Sequence, residues 1–291
     1  MTGSTLPARS LGRLLAQYRQ RAGLSRSAAA QIVETSIQTM GRLEDGLKSK
    51  VPQLWINALA DAYRVSDSER RVLIGLTREL ASAQQNWWRP YADEMNPRFD
   101  HYLGLEEAAR RLAVWRLSLL PGLLQTPEYR RAIAWTEWPD LATEQVNKRV
   151  EMAVRRQVRL NDRAFTVDAI LSETVLREQI GGPAVMAEQM ARLVELSELP
   201  NVSIRVVPFN APRHLGSRVG SFAMLEFPKL PATGMIEPPV IYIEDYAGDG
   251  YLEREVEVRR YRDAFTEIAR VSLDPDATRH LLVSAGKEYR A

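Results

Sequence analysis

A short polar stretch near the N-terminus carries the side chains whose chemistry is easiest to interpret. Gln38 can pair bidentately with adenine, Arg42 can pair with guanine, and the apolar Ile37 can touch the methyl group of thymine. Ser36 and Thr39 add hydroxyl groups to the same stretch. Because the N-terminal residues of a helix can reach base edges in the major groove of DNA, this stretch predicts a base-reading helix.

Three basic side chains flank the stretch. Arg26 lies at the expected start of the preceding helix, and Lys48 and Lys50 follow the base-reading helix. Helix N-termini and basic side chains bind phosphate oxygens, so we expect these residues to contact the DNA backbone. The first fifty residues contain eight Lys and Arg against three Asp and Glu, whereas the whole chain has a net charge of +2. This asymmetry favours a polyanionic partner, although any window of fifty residues can drift by a few charges.

Capping residues and apolar spacing indicate how these side chains are positioned. Ser25 and Ser36 each precede a short helix, and only Glu34, Thr35 and Ser36 separate the two helices. This spacing is typical of a helix-turn-helix. The apolar pattern continues with a capping box that begins at Ser66, so residues 1–82 are predicted to form an all-α DNA-binding domain of five short helices.

The same segment resembles the helix-turn-helix of the Cro/C1 (Xre) family. The positions that match the family pattern are Leu24, Ser25, Ala30, Ser36, Met40, Glu44 and Gly46. The resemblance implies that Glu44 pairs with Arg19 as part of the scaffold, so Arg19 is not counted as a DNA contact. It also implies a homodimer that binds a two-fold symmetric operator in double-stranded DNA. The alternative is a helical bundle that serves protein contacts.

Two positions depart from the family pattern. Glu34 stands where the family has a turn glycine, and a non-glycine residue at positive φ costs about 1–2 kcal/mol. We therefore expect a strained or slightly remodelled turn. Ala29 stands where the family has a leucine, so the packing of that helix should be thinner. Neither departure removes the predicted base-reading residues.

Residues 83–291 are predicted to form an α+β domain with a small sheet flanked by helices. Four segments have the composition or alternation of strands: 165–171, 202–207, 220–227 and 240–244. We expect this domain to provide dimer contacts and to sense an effector or a partner protein.

Two groups of residues in this domain are candidates for effector binding. Trp87 and Trp88 could hold a flat ligand in a pocket, although tryptophans are more often core or interface anchors. A second group could form a polar cleft that binds a charged effector or is catalytic. Its members are Arg205, Arg213, His214 and Glu244. The alternative is a salt-bridged sheet edge.

Long ordered motifs in the second domain resemble one arrangement found in actinobacterial regulators. These motifs include Tyr102 to Ala108, Leu120 to Thr126, Leu171-Ser172-Glu173, Val206-Val207-Pro208, Gly220-Ser221-Phe222 and Tyr242-Ile243-Glu244. In that arrangement an Xre helix-turn-helix precedes a long domain of unknown function, and the WhiJ-like developmental regulators of Streptomyces belong to the group. The resemblance implies transcriptional control and pairing with a small acidic partner protein.

Composition excludes several other classes of protein. The chain of 291 residues contains no cysteine, which rules out disulfides, zinc–cysteine sites and thiol nucleophiles. Its three histidines are far apart, and no phosphate-binding loop or nucleophile elbow is present, so we expect no metal, no cofactor and no enzymatic activity. No stretch approaches ~20 apolar residues, so we expect a cytoplasmic, nucleoid-associated protein with no membrane contact.

These observations predict a sequence-specific DNA-binding transcriptional repressor. Two alternatives come from other classes. One is an antitoxin-like protein or anti-regulator whose DNA binding depends on a small acidic partner. The other is an enzyme fused to a DNA-targeting module.

Overall fold

The computed structural model describes residues 6–48, 50–82, 87–88, 90–91, 97–231, 233–245 and 248–290. The chain divides into two compact units. Unit 1 comprises Met1–Arg89, Asn96–Ala108 and Phe227–Glu237, and unit 2 comprises Pro90–Met95, Ala109–Glu226 and Pro238–Ala291. The segments Asn96–Ala108 and Phe227–Glu237, which lie beyond the predicted domain boundary between residues 82 and 83, are therefore part of unit 1.

Unit 1 is helical. Its helices are α1 (Leu6–Arg21), α2 (Arg26–Ile32), α3 (Ile37–Glu44), α4 (Gln53–Ala62), α5 (Asp67–Ser82) and α6 (Pro97–Ala108). Helix α1 packs on α3 and α5, and α2 packs on α3 and α4. The core contains Leu11, Leu15, Met40, Leu43, Ile56, Leu59, Leu73 and Leu76, each at most 1% exposed. Burial of these apolar side chains stabilises the unit.

The predicted caps begin the helices as expected. Ser25 Oγ accepts a hydrogen bond from the Ala28 N–H, and Ser36 Oγ accepts one from the Thr39 N–H, both at 3.1 Å. At Ser66 the capping box is complete, since the Ser66 N–H also donates to Glu69 Oε2 at 2.7 Å. These bonds satisfy N–H groups that a helix leaves without a partner, so the helix starts are fixed by local sequence.

Unit 2 is built on a mixed sheet of six strands. The strands are β1 (Arg111–Arg116), β2 (Thr166–Ser172), β3 (Val202–Val207), β4 (Phe222–Glu226), β5 (Val240–Ile243) and β6 (Gly250–Leu252). Their order across the sheet is β3-β2-β1-β4-β5-β6. The pairings among β1, β2 and β3 are parallel, and the pairings from β1 through β4 and β5 to β6 are antiparallel.

Helices surround this sheet. They are α7 (Pro127–Glu137), α8 (Thr143–Gln157), α9 (Thr174–Arg177), α10 (Pro183–Leu196), α11 (Gly216–Val219), α12 (Glu255–Val271) and α13 (Pro275–Glu288). Helix α12 covers one face, where Phe265 and Ile268 pack with Trp115, Ile170 and Phe222. Helix α7 packs on α8, and α10 packs on α13. The α+β architecture of this part of the chain is therefore as predicted.

The sheet is larger than the four predicted strands. Strand β1 was not predicted because residues 112–115 are all buried, so the strand shows no alternation of polar and apolar side chains. Strand β6 was not predicted because it has only three residues. The four predicted strands correspond to β2, β3, β4 and β5.

Candidate nucleic-acid interface

The turn between α2 and α3 keeps a left-handed residue although it has no glycine. Glu34 has a φ of 50°, so the strained turn expected from the sequence is present. The Glu34 N–H donates to the Gln31 carbonyl at 3.2 Å, and the Thr35 N–H donates to the Ala30 carbonyl at 2.9 Å. These bonds end α2 and direct the chain into α3.

Helix α3 presents one side to solvent, from Ile37 in its first turn to Arg42 in its last turn. Ile37 is 55% exposed, and Gln38 and Arg42 are also exposed. Ser36 and Thr39 are joined by a hydrogen bond of 2.9 Å between their hydroxyl groups. The opposite side of the helix is buried through Met40 and Leu43. The helix therefore displays the three side chains predicted to contact bases and anchors them through its apolar face.

A buried carboxylate holds α1 and α3 together. Glu44 is 6% exposed, and its two oxygens accept hydrogen bonds from Arg19 Nε at 2.6 Å and Arg19 Nη2 at 3.0 Å. Hydrogen bonding to Glu44 raises the pKa of Arg19. The scaffold pair implied by the family resemblance is thus present, and Arg19 serves the fold.

Arg26 also contacts this carboxylate. Its Nε donates to Glu44 Oε2 at 3.0 Å, and its guanidinium lies against Gly41 of α3. Its side chain is 44% exposed. The sequence predicted Arg26 as a phosphate contact. The structure shows that its Nε is committed to the scaffold, which leaves only the outer part of the side chain accessible to a phosphate.

The two lysines after α3 differ in their surroundings. Lys48 Nζ lies 5.1 Å from the centre of the Trp55 ring, which is a cation–π distance. Lys50 is exposed. The Trp55 ring restrains Lys48 beside the start of α4.

Close packing of α1 on α3 depends on a glycine that the sequence did not single out. A Cβ atom at Gly12 would lie 2.4 Å from the carbonyl oxygens of both Leu43 and Glu44. Only glycine allows this approach, and the approach brings Arg19 to Glu44.

A segment far along the chain completes unit 1. Glu237 is 2% exposed, and its Oε1 accepts hydrogen bonds from Ser10 Oγ at 2.6 Å and Arg13 Nη2 at 2.5 Å. Arg9 lies 3.9 Å from the other oxygen and 5.9 Å from the Phe227 ring centre. Residues 227–237 follow β4 and precede β5, so the link between two strands of unit 2 supplies the carboxylate that binds the first turns of α1.

The tryptophan pair predicted for effector binding lies in unit 1. Trp88 is 2% exposed and its indole N–H donates to Asp100 Oδ1 at 2.6 Å. Trp87 packs edge-to-face on Trp88 and donates to Glu107 Oε2 at 3.3 Å. Trp88 is thus a core residue, which is the alternative that the sequence left open.

The polar cleft predicted from Arg205, His214 and Glu244 is not formed as a unit. Arg205 is in β3 and Glu244 follows β5, and three strands separate β3 from β5. At ~4.8 Å per strand, their lateral separation is roughly 19 Å. The sequence placed them together because strand order cannot be read from the strands themselves.

The other members of that predicted cleft have different neighbours. His214 packs edge-to-face on Trp115, and its Nδ1 accepts from the Gly216 N–H at 3.0 Å. Arg213, the preceding residue, is exposed. Glu244 pairs instead with Arg116, at 3.2 Å between Oε2 and Nη1.

Around Glu244 the structure gathers charged residues that the predicted polar cleft did not include. Burial lowers the pKa of Arg130, and the charges that act on this arginine belong to Glu137, Arg156, Arg149 and Glu244. Burial likewise raises the pKa of Glu137. These residues come from α7, α8 and the end of β5, and no motif in the sequence connects them.

Comparison with known proteins accounts for both parts of the chain. Residues 10–73 are similar to a family model described as a helix-turn-helix domain, and residues 99–284 match one described as a domain of unknown function, DUF5753. Comparison with curated proteins and with solved structures gives no match. Within the described residues, no helix combines the length and the apolar character that spanning a membrane requires.

Proposed function

The chain belongs to the DUF5753 family, with a helix-turn-helix domain in front of it, and from this premise we propose that it is a sequence-specific regulator of transcription. The observation that carries the proposal is the solvent-exposed side of α3. Ile37, Gln38 and Arg42 project there from a helix whose other face is buried.

The side chains on α3 divide into two roles. Gln38 and Arg42 read base edges in the major groove, and Ile37 contacts a thymine methyl group. Lys48 and Lys50 contact phosphates and add affinity for any sequence. The Ser36 hydroxyl already caps the helix, so its contribution is to fix the helix start at the DNA surface.

The regulator acts as a homodimer and a repressor. Helix-turn-helix dimers place two recognition helices ~34 Å apart, in successive major grooves on one side of the duplex, so the operator is expected to be two-fold symmetric. Repression follows when such an operator overlaps the site where transcription begins. The likeness to actinobacterial developmental regulators, the absence of enzymatic activity and the small acidic partner protein remain predictions.

Selection from fragmented genomic DNA tests the proposal. The purified full chain is incubated with the fragments at two salt concentrations, and the bound DNA is sequenced. A shared, two-fold symmetric motif that survives the higher salt concentration is the expected result. Sequence-blind binding that disappears at the higher concentration contradicts it and favours the partner-dependent alternative, because only the electrostatic contribution is then present.

Substitutions on α3 then assign the bases. Gln38→Ala and Arg42→Ala should each cost about 1–3 kcal/mol of binding and relax the preference at one position of the motif. Gln20→Ala on α1 and Arg71→Ala on α5 are matched controls, because both residues are exposed and belong to helices other than α3. Unchanged sequence preference in both α3 variants would remove the base-reading assignment.

A further inference from the structure

Unit 2 contains an arginine cluster whose positive charges exceed its negative ones. It consists of four arginines, Arg116, Arg130, Arg149 and Arg156, and two glutamates, Glu137 and Glu244. The residues come from β1, α7, α8 and the end of β5. Four cations against two carboxylates leave a net charge of about +2, since arginine stays protonated in proteins.

The turn that precedes α7, beside the cluster, is held in place by buried hydrogen bonds. The turn before α7 is held by the buried Gln189, whose Oε1 accepts from the Thr126 N–H at 2.7 Å and whose Nε2 donates to the Leu124 carbonyl at 2.8 Å. Arg156 is 9% exposed, and its Nη1 lies 2.9 Å from where a Cβ atom of Gly122 would stand. The guanidinium therefore lies directly on the backbone of this turn.

Two buried guanidinium nitrogens in the cluster have unused hydrogen-bonding capacity. Neither Arg116 Nε nor Arg149 Nε has a hydrogen-bond partner among the residues that the structure describes. The Arg116 side chain is 12% exposed, and its Nη1 is paired with Glu244. A buried donor without an acceptor is costly, and the cost is greater when the group is charged.

Arg130 shows the same excess of positive charge. Burial lowers its pKa, and the neighbouring charges of Arg156 and Arg149 lower it further, whereas Glu137 and Glu244 raise it. Part of its side chain nevertheless remains accessible to solvent. Arg130 is therefore not fully enclosed by protein, and an incoming anion could contact the accessible part of its side chain.

An aromatic ring borders the cluster. The Arg149 guanidinium lies 4.3 Å from the centre of the Trp138 ring, at the C-terminal end of α7, and Trp138 is 43% exposed. The stacked guanidinium keeps its edge available for an oxyanion, and the exposed ring offers an apolar surface beside it.

We propose that the arginine cluster around Arg130 is the effector site of this regulator, and that it binds the oxyanion group, carboxylate or phosphate, of a small molecule. Guanidinium groups pair bidentately with either oxyanion. The assignment of the ligand as an effector rests on the proposed function, whereas the binding itself can be measured without DNA.

Titration calorimetry of the full chain without DNA tests the site. The probes are inorganic phosphate, phenyl phosphate and malonate. Inorganic phosphate and malonate distinguish a site for phosphate from a site for dicarboxylates. Phenyl phosphate adds an aromatic group that can contact the Trp138 ring. We expect saturable binding of at least one probe, weakened about tenfold or more in Arg130→Gln, because a charge-assisted hydrogen bond is lost. Arg131→Gln is the control, since it removes one charge from the same helix where Arg131 contacts Glu128 and Asn147.

A second variant, expected to bind the anion more tightly, separates a change at the site from a loss of binding caused by misfolding. Glu137→Gln removes a negative charge from the cluster and should tighten binding several-fold. The proposal is overturned if no probe binds at about 10 mM, or if Arg130→Gln and Arg131→Gln bind equally well. It is also overturned if no probe binds and Arg130→Gln instead weakens binding to random-sequence duplex DNA, because the cluster is then a backbone contact. If the chain binds the anion but no specific DNA sequence, the anion site stands and only the proposed function is contradicted.

Discussion

Both units place arginines around carboxylates, but the two arrangements differ in how completely the charges are satisfied. In unit 1, Glu44 accepts hydrogen bonds from Arg19 and Arg26 at 2.6–3.0 Å. In unit 2, Arg116 and Arg149 each keep a buried Nε without a partner among the described residues, and burial lowers the pKa of Arg130. The number of arginines around a carboxylate therefore does not reveal their role. The Arg19 guanidinium is satisfied by Glu44 and serves the scaffold, whereas Arg116 and Arg149 each retain a buried donor that we propose for a bound oxyanion.

Burial of a cation has two physical outcomes, and each unit shows one. In unit 1, burial and the nearby Arg9 lower the pKa of His101 to about 4, whereas Asp100 raises it, so the imidazole is neutral at pH 7. Arginine cannot respond in this way, because it does not deprotonate in proteins. Arg130 therefore keeps its charge, which Glu137 and Glu244 offset against the opposing charges of Arg149 and Arg156.

The largest expected effect comes from removing the carboxylate that satisfies unit 1. Glu44→Gln should lower the free energy of unfolding by about 3–5 kcal/mol, because Arg19 is left buried without its counter-charge. Asp45→Asn is the matched control, since Asp45 is exposed and lies 3.9 Å from Arg26; it should cost less than about 0.5 kcal/mol. Scanning calorimetry measures the loss of stability in both variants. Equal losses would show that the buried hydrogen bonds to Glu44 contribute no more than the exposed Asp45 does.

The next effect concerns the approach of α1 to α3. Gly12→Ala should cost about 1–3 kcal/mol, because the new Cβ atom collides with two carbonyl oxygens. At Gly41, the nearest atom to a Cβ is Arg26 Nη1 at 3.5 Å, so Gly41→Ala should be neutral or stabilising. The melting temperatures of the two variants test this expectation. An unchanged melting temperature in Gly12→Ala would mean that α1 and α3 can move apart without a loss of stability.

A smaller effect is expected from the titration of His101. Its pKa in the folded protein, about 4, is below the unfolded value of 6.5, so its contribution to stability is complete above about pH 6.5 and is lost as the pH falls towards 4. From pH 7.5 to pH 5 the loss should be about 1–2 kcal/mol, allowing for the partial exposure of the ring. Melting temperatures across this range should fall less steeply for His101→Gln than for the wild type; identical slopes would assign the titration to other groups.

The smallest expected effect is a gain in stability. Glu34→Gly removes a side chain from a residue at φ 50° and should stabilise unit 1 by about 1 kcal/mol. Arg64→Gly offers a matched comparison, because Arg64 has a φ of 52° in the turn between α4 and α5. Both variants should raise the melting temperature by a few degrees, and a loss at Glu34 alone would show that its carboxylate contributes to the helix-turn-helix.

The sequence predicted the helix-turn-helix well because its determinants are local. The caps at Ser25 and Ser36 and the spacing between α2 and α3 involve residues only a few positions apart. The pair of Arg19 with Glu44 followed from the family resemblance. Gly12 was missed because its importance depends on the backbone of a different helix.

In unit 2 the determinants are distant in sequence, so prediction was weaker. The parallel pairing of β1 with β2 joins residues more than fifty positions apart, and strand order decides which side chains meet. That is why Arg205 was grouped with Glu244, whereas Arg116 and Arg130 were not. A buried central strand carries no alternation that could have revealed β1.

The contacts of Glu237 also set an order of events during translation. Ser10 and its acceptor are 227 residues apart, and Arg13 is 224 residues from the same carboxylate. A nascent chain that ends before residue 237 carries the helix-turn-helix sequence but lacks the acceptor for these groups. The ribosome must therefore synthesise most of the protein before the first turns of α1 acquire their final partners, and a fragment released early differs from the finished regulator at its DNA-binding unit.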